Sequence, residues 1–295
     1  GPLAQRSTGR DAPWQFKAGQ TAIGIVDVSA QVRRPGGGAS EQLKYLARLA
    51  RRSLINGDSA LAIEQIKGGI RLVHDLPSSR EKRRLIDEYA VVDHWRLGCC
   101  HAALGPGHHG KALGHLNVVR RYYKWMQKKR RLELDDVQTV TLCRTLAAMA
   151  RIHVEQGRYE QALREADEGL DAVYRCGELV ETAAADLVQM LCFSVRGDAL
   201  RGLGHCGELV VRHSEQVLLH YRRHISDPPS NEDRKRMLRL SHGRWPWAND
   251  RLYLGRTLTQ TAVVLKEIRG QLSGPIRTLA DAILREQEVW REKGE

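Results

Sequence analysis

From residue 40 onward, apolar side chains recur every three or four residues, which is the period of an α-helix with one buried face. The first such stretch divides at the turn-forming tripeptide Asn56-Gly57-Asp58, and Pro77 ends its second half. The pattern therefore predicts two helices joined by a short turn. The apolar and small positions are Leu43, Leu46, Leu49 and Ala50 before the turn, and Ala62, Ile63, Ile66, Gly69 and Ile70 after it.

The same layout returns one hundred residues later, on either side of Gly157. Agreement at this many positions indicates an internal repeat. The matched positions are Leu46 and Leu146, Leu49 and Met149, Ala50 and Ala150, Gly57 and Gly157, Ala62 and Ala162, Ile63 and Leu163, Ile66 and Ala166, Gly69 and Gly169, and Ile70 and Leu170.

Two weaker copies lie between and after these two, with turn glycines at Gly105 and Gly204. Successive turn glycines in the four copies are 48, 52 and 47 residues apart. A fifth pair is expected around Gly270, with helices over residues 250–269 and 273–292. The chain is therefore predicted to consist mainly of consecutive helix pairs.

This pattern resembles the tetratricopeptide repeat family. That family places a small residue eight positions into its first helix and a turn glycine seven residues later. Alanine follows early in the second helix, with another small residue one heptad further on. These places are held by Ala50, Gly57, Ala62 and Gly69 in the first copy, and by Ala150, Gly157, Ala162 and Gly169 in the best copy. The likeness covers residues 40–294, although the spacing exceeds the family's roughly 34 residues.

The resemblance implies an all-α fold, a right-handed solenoid of about five antiparallel helix pairs. Glycine inside a helix costs roughly 1 kcal/mol relative to alanine, so Gly69 and Gly169 need a packing reason. We expect the small residues to let the first helix of a pair pack closely on its second helix. They should also admit the first helix of the next pair, because bulkier side chains would push the helix axes apart.

Two segments depart from the repeat. Residues 1–39 are rich in proline and glycine and contain the strand-like stretch "AIGIVDVSAQV" at 22–32. An isolated strand has nothing to pair with, so we predict an extended arm that lies on another surface, followed by a repeat domain over 40–295. An insertion near 226–249 interrupts that domain before the fifth pair.

The chain is basic, with a formal net charge of +12 and a pI of about 9.7. Such a balance favours an acidic partner, most often nucleic acid, or it serves solubility alone. The six cysteines include no C-x-x-C pair and most lie in apolar helical runs, which indicates a reducing compartment such as the cytoplasm or the mitochondrial matrix. The start "GPLAQRSTGR" fits either the flank of a removed transit peptide or a remnant of tag cleavage. No apolar run is long enough to suggest a membrane span.

The strongest surface signal is the stretch "RRYYKWMQKKRR" at 120–131, which combines seven basic residues and three aromatic ones without an acid. Helical spacing buries Val119, Tyr122, Tyr123 and Met126 and leaves the cations facing solvent. That face is either solvated surface or a contact with an RNA backbone. Its candidate nucleic-acid-binding residues are Arg120, Arg121, Lys124, Lys128, Lys129, Arg130 and Arg131.

A second basic region follows the fourth copy and ends in "RWPWAND" at 244–250. Trp245 and Trp247 are costly to leave in water, so they either fold back on the last helices or contact a partner. The candidate nucleic-acid-binding residues of this region are Arg222, Arg223, Arg234, Lys235 and Arg236.

The sequence contains few of the motifs that are typical of enzymes. Gly36-Gly37-Gly38 lacks the lysine and the strand of a phosphate-binding loop, and no G-x-S-x-G occurs. A cluster of histidines and cysteines lies within 94–109, but adjacent Cys99 and Cys100 point about 100° apart on a helix, which disfavours zinc. We therefore predict no enzyme activity, no metal, no cofactor and no small-molecule substrate.

Two functions remain open at this stage. The first is a scaffold or adaptor that binds protein partners in a larger complex, which the family resemblance favours. The second is a structural subunit of a large ribonucleoprotein, such as a mitochondrial ribosome, which the basic stretches favour. A fold alone does not choose between them.

Overall fold

The computed structural model describes residues 38–129, 133–175, 183–205, 207–226 and 250–294. These residues form helices and turns and contain no strand, so the prediction of an all-α fold is confirmed for this part of the chain. The α-helices are α1 (Ala39–Ile55), α2 (Ser59–Asp75), α3 (Arg80–Leu85), α4 (Val91–Ala103), α5 (His109–Lys129), α6 (Asp136–Glu155), α7 (Tyr159–Arg175), α8 (Ala183–Gly202), α9 (Gly207–Ser226), α10 (Asp250–Ile268) and α11 (Gly274–Gly294).

The helices pack on their neighbours along the chain. Contacts join the two helices of each pair, α1–α2, α4–α5, α6–α7, α8–α9 and α10–α11. Each second helix also contacts the first helix of the next pair. From α4 to α10, successive first helices contact one another as well. Every pair is therefore held by the pairs beside it.

A turn glycine with a left-handed backbone separates the two helices of the first four pairs. The φ angles are 80° at Gly57, 94° at Gly105, 73° at Gly157 and 72° at Gly204. A residue with a Cβ is strained in this region, which explains glycine at these turns. The fifth pair differs, because Gly270 lies in a 3-10 turn (Arg269–Gln271) and the positive φ, 56°, occurs at Gly274.

Gly69 and Gly169 occupy equivalent three-helix junctions. A Cβ added to Gly169 would lie 3.0 Å from Sγ of Cys192 on α8 and 3.7 Å from Cβ of Leu146 on α6. A Cβ on Gly69 would lie 3.3 Å from Oδ2 of Asp93 on α4 and 3.5 Å from Leu43 on α1. In both copies the glycine of the second helix therefore faces the first helix of its own pair and the first helix of the next.

Helix α6 lies at the centre of the described structure. Asp135 and Gln138 form a capping box at its start, in which each side chain bonds the other residue's backbone N–H. All residues from Thr139 to His153 are buried. Contacts with α4, α5, α7 and α8 cover this helix on all sides.

One element was absent from the sequence prediction. Between the first two pairs lies α3, which is capped by Ser79 and continues through a π-helical segment (Ile86–Ala90) into α4. Leu85 of α3 and Tyr89 of the π-helical segment are buried with Leu43 and Val73, so both segments belong to the core. None of the described helices combines the length and apolar character that crossing a bilayer requires.

Several predictions fall on parts of the chain outside the described residues. They concern the extended arm over residues 1–37 and nearly all of the insertion, residues 227–249. Seven candidate site residues also lie outside: Arg130, Arg131, Arg234, Lys235, Arg236, Trp245 and Trp247.

Candidate interaction surface on helix α5

Helix α5 carries most of the basic stretch and buries one of its faces. Val119, Tyr123 and Met126 are buried in a cluster with Leu142 and Leu146 of α6. Their spacing of three and four residues places them on one stripe, as the sequence predicts. Tyr122 also packs against this cluster but is only partly buried.

Acidic residues of α7 neutralise two of the predicted surface cations. Arg120 forms an ion pair with Glu168, and its Nη1 lies 3.7 Å from Glu165. Lys124 Nζ lies 2.8 Å from the other carboxylate oxygen of Glu168. Only 25% of the Arg120 side chain is exposed, in contrast to the solvent-facing position expected from helical spacing.

Four residues form the outer face of α5: Val118, Arg121, Trp125 and Lys128, all of them exposed. Val118 and Trp125 are each 43% exposed and lie seven residues apart, as do Arg121 and Lys128. Seven residues span about 10.5 Å of helix, so an apolar row and a cationic row run side by side. The side chain of Lys129 lies outside the described set.

Trp125 has an aromatic neighbour on the same helix. Its ring centroid lies 5.9 Å from that of Tyr122, which in turn makes an edge contact with Tyr123. Tyr123 is buried, so the three rings lead from the core to the surface of α5. Such contacts restrict the orientation of a half-exposed tryptophan.

The cations of the second basic region are also paired where they are described. Arg222 on α9 forms an ion pair with Glu286 on α11. Arg223 Nε lies 3.6 Å from Oδ1 of Asp186 on α8. These arginines connect α9 to its neighbouring helices, and part of the predicted basic surface thus contributes to packing.

Buried polar pairs join the helices at places that the sequence did not reveal. Arg151 on α6 pairs with Asp198 on α8, and its Nη2 lies 3.2 Å from the Ser194 hydroxyl. His153 Nδ1 lies 2.7 Å from Glu165 across the α6–α7 pair. The partners are 47 and 12 residues apart, and the 47-residue separation in particular gives no local sequence signal. The Arg151–Asp198 pair is almost completely buried, so removing either partner would leave the other charge buried and would destabilise the fold.

A small cavity and the absence of a metal-binding cluster are the remaining features of the described residues. A cavity of about 10 Å³ lies between α8, α9 and α10 and has Ser194, Asp198, Ser214 and Thr261 in its lining. That volume admits about one water molecule and no organic ligand. Within the described ranges, no group of three or more histidine, cysteine, aspartate or glutamate side chains is placed to hold a metal ion.

Comparisons with family models, with curated proteins and with solved structures find no match to this chain. The likeness to tetratricopeptide repeats therefore rests on the chain's own pattern of small residues and turn glycines. Its function has to be inferred from the helix contacts and the exposed surface.

Proposed function

We propose that this protein is a non-catalytic helical-repeat scaffold that assembles macromolecules through protein–protein contacts. The observation that carries the proposal is the contact pattern, in which each pair packs on the pairs beside it. An array of this kind exposes an extended surface along its length. We take the array to be a right-handed solenoid of five antiparallel helix pairs.

Cross-helix contacts in the third pair support the antiparallel arrangement. Cys143, in the first half of α6, donates its Sγ–H to the carbonyl oxygen of Gly169, in the second half of α7, at 3.3 Å. His153, near the end of α6, contacts Glu165 in the first half of α7. The contact nearer the end of α6 involves a residue nearer the start of α7, and this order supports two helices that run in opposite directions.

The outer face of α5 is the proposed contact surface for a protein partner. Exposed Val118 and Trp125 offer apolar area, and Arg121 and Lys128 lie beside them. Aromatic residues and arginine are enriched at the centres of protein interfaces. The matching partner surface carries an apolar side chain for Trp125 and carboxylates for the two cations.

A protein partner fits this face better than an RNA backbone does. Arg120 and Lys124 would add to the positive charge along α5, but both already form ion pairs with Glu168. Val118 adds exposed apolar area that an RNA backbone does not use.

Photo-crosslinking tests the proposal. A photoreactive side chain replaces Trp125 in the full-length chain, expressed in its native cells, and the crosslinked products are analysed before and after nuclease treatment. We expect discrete protein adducts that survive nuclease and that are lost when Arg121→Glu and Lys128→Glu are added. The matched control is Arg277→Glu with Arg285→Glu, two exposed arginines of α11, which should leave the adducts unchanged. Adducts unaffected by the α5 changes would contradict the proposal.

Direct RNA contact in a ribonucleoprotein is the second candidate, because Trp125 lies between exposed Arg121 and Lys128 on a chain of net charge +12. Aromatic stacking on bases flanked by phosphate contacts is a common mode of RNA binding. Filter binding at several salt concentrations tests this candidate. Each phosphate contact should make the logarithm of the RNA affinity fall by about 0.7–0.9 for each unit of the logarithm of the salt concentration. Replacing Arg121 and Lys128 with glutamine should flatten that slope. Nuclease-sensitive adducts at position 125 would also favour this candidate over the scaffold.

A further inference from the structure

Four imidazoles form a continuous row between α4 and α5. Nδ1 of His94 lies 3.0 Å from Nδ1 of His115, and Nδ1 of His101 lies 3.4 Å from Nδ1 of His108. His101 stacks on His115 with ring centroids 5.6 Å apart and planes within 2°. Two of these contacts, His94–His115 and His101–His115, join the two helices of the second pair, and the third joins α4 to the turn (Pro106–His108) before α5.

The arrangement of the rings is that of imidazoles hydrogen-bonded to each other. For His94 and His115, centroids 5.2 Å apart with nitrogens 3.0 Å apart place the two nitrogens nearly on the line between the rings. One Nδ1–H then donates to the lone pair of the other Nδ1, which requires that at least the accepting ring be uncharged, and this contact is lost when both rings are protonated. A shared metal ion would instead draw both nitrogens to a point off that line.

The charges that act on the row are positive. Burial, and after it His115 and His74, lowers the pKa of His94 to about 4. Burial also lowers the pKa of His101 to about 4, and His115, His108, Lys111 and Lys67 act in the same direction. Burial and Lys67 lower the pKa of His115. Lys67 and His74 belong to α2 and Lys111 to α5, so both helices that flank α4 here oppose protonation.

The same place in the repeat is filled differently in the neighbouring pairs. In the first pair Ser53 donates to Gln65 at 2.9 Å, and in the third pair His153 lies 2.7 Å from Glu165. The repeat register places His101 and His115 at these two positions in the second pair. When the histidine of the third pair is protonated, an imidazolium lies beside a carboxylate and the two attract. When His101 and His115 of the second pair are protonated, two positive rings lie side by side and repel.

We propose that the α4–α5 pair is an acid-sensitive joint in the helical array, opened by protonation of the histidine row while the α6–α7 pair stays closed. The joint lies between α2 on one side and α6 on the other, so its opening divides the surface into two parts. By contrast, His153 beside Glu165, His220 beside Asp186 and His109 beside Glu155 each have an acidic partner.

The direction of the pH effect follows from the lowered pKa values. The unfolded chain binds protons on these histidines near pH 6.5, whereas the folded pair resists them down to about pH 4 for His94 and His101. The stabilising contribution is complete above pH 6.5 and falls as the pH drops toward 4. Asp93 on α4 acts in the opposite sense, because burial raises its pKa to about 6 despite its bond to Arg96.

Hydrogen exchange followed by mass spectrometry of the full chain tests the joint at pH 7.5 and pH 5.0, after correction for the chemical exchange rate. Protection of peptides from α4 and α5 should fall by at least about tenfold relative to peptides from α6 and α7. The variant His115→Glu gives the second pair the His–Glu contact of the third and should remove most of this difference. Because Asp93 is unchanged, the comparison isolates the row.

His153→Gln serves as the matched control, since it alters the third pair and should leave the response of α4 and α5 intact. Equal loss of protection in both pairs, or the same loss in His115→Glu as in the unmodified chain, would overturn the proposal. If His115→Glu is already unprotected at pH 7.5, the deciding measurement is an NMR titration of the unmodified chain. A pKa of 6.5 or higher for His101 would then overturn it.

Discussion

Gly98 in α4 leaves room for Leu116 of α5, and this close approach can be tested directly. A Cβ at Gly98 would lie 2.5 Å from Cγ of Leu116 and 3.3 Å from the carbonyl oxygen of Ala112. Leu116 is fully buried and has little freedom to move. Gly98→Ala should therefore lower the free energy of unfolding by about 1–3 kcal/mol through overpacking. Urea unfolding at neutral pH measures the change.

Gly114 on α5 is the matched control for Gly98. A Cβ there would meet nothing within 4 Å, and the residue is exposed within a helix. Gly114→Ala should raise the free energy of unfolding by up to about 1 kcal/mol, since alanine favours the helix. Two alanine variants that shift stability in the same direction would contradict the close approach of α4 and α5.

Ala162 tests the third pair in the same way. Ala150 and Ala162 are both fully buried in the cluster that joins α6, α7 and α8. Replacing either one with leucine should destabilise the chain by about 1–3 kcal/mol. Glu160→Leu, on the exposed side of α7, should have little effect. Similar thermal melts for the two kinds of variant would show that the repeat register is wrong.

At the residue scale, the sequence predicts what is local or repeated. Gly157 and Gly169 stand out because the first copy has glycine at the same places. The pairing of Arg120 with Glu168 is not predictable in this way, because 48 residues separate two helices whose facing sides depend on the whole packing. His115 was likewise missed, since only the α4–α5 pairing brings it to His94.

At the scale of elements, a buried ion pair ties α6 to α8. Arg151 and Asp198 are 7% and 2% exposed, so neither charge has much contact with solvent. Asp198→Ala would leave the guanidinium buried without its partner, and it should cost about 3–5 kcal/mol in the free energy of unfolding. Chemical denaturation, followed by the circular dichroism of the α-helices, measures this change in the free energy of unfolding.

The control for this pair is Glu215 on α9. It lies 3.4 Å from Arg212 in an exposed pair within one helix. Glu215→Ala should change stability by less than about 0.5 kcal/mol, because solvent screens both charges. A small effect of Asp198→Ala would mean that Arg151 finds water or another acceptor once the aspartate is removed.

The helix boundaries were predictable where a cap or a turn glycine marks them. The turn at Gly57 is an example, since the neighbouring Asp58 caps α2 by accepting from Leu61 N–H at 2.9 Å. The segment over 80–90 was not predicted, because its buried Leu85 and Tyr89 are embedded among charges and belong to no repeat copy. The fifth turn was placed at Gly270, but its left-handed residue is Gly274.

At the scale of the whole molecule, a solenoid keeps the first and last pairs apart. Lysine-specific crosslinking of the full chain should join residues of the same or consecutive pairs, such as Lys67 and Lys111. Lys44 on α1 and Lys266 on α10 should not be joined, because three pairs separate them along the array. A Lys44–Lys266 crosslink in the monomer fraction would indicate a closed bundle and would contradict the solenoid.

The burial of Thr139 to His153 in α6 determines where this chain tolerates being cut. Met149 and Ile152 pack on Ala102 and Leu116 toward one end of the array, while Cys143 and Ala147 pack in the cluster of α7 and α8 toward the other. A fragment that ends before α6 or begins after it therefore exposes a core surface and should aggregate. Shortening or lengthening the array is expected to succeed only by whole pairs at its ends, so a stable truncation has to keep the α6–α7 pair together with the helices that cover it.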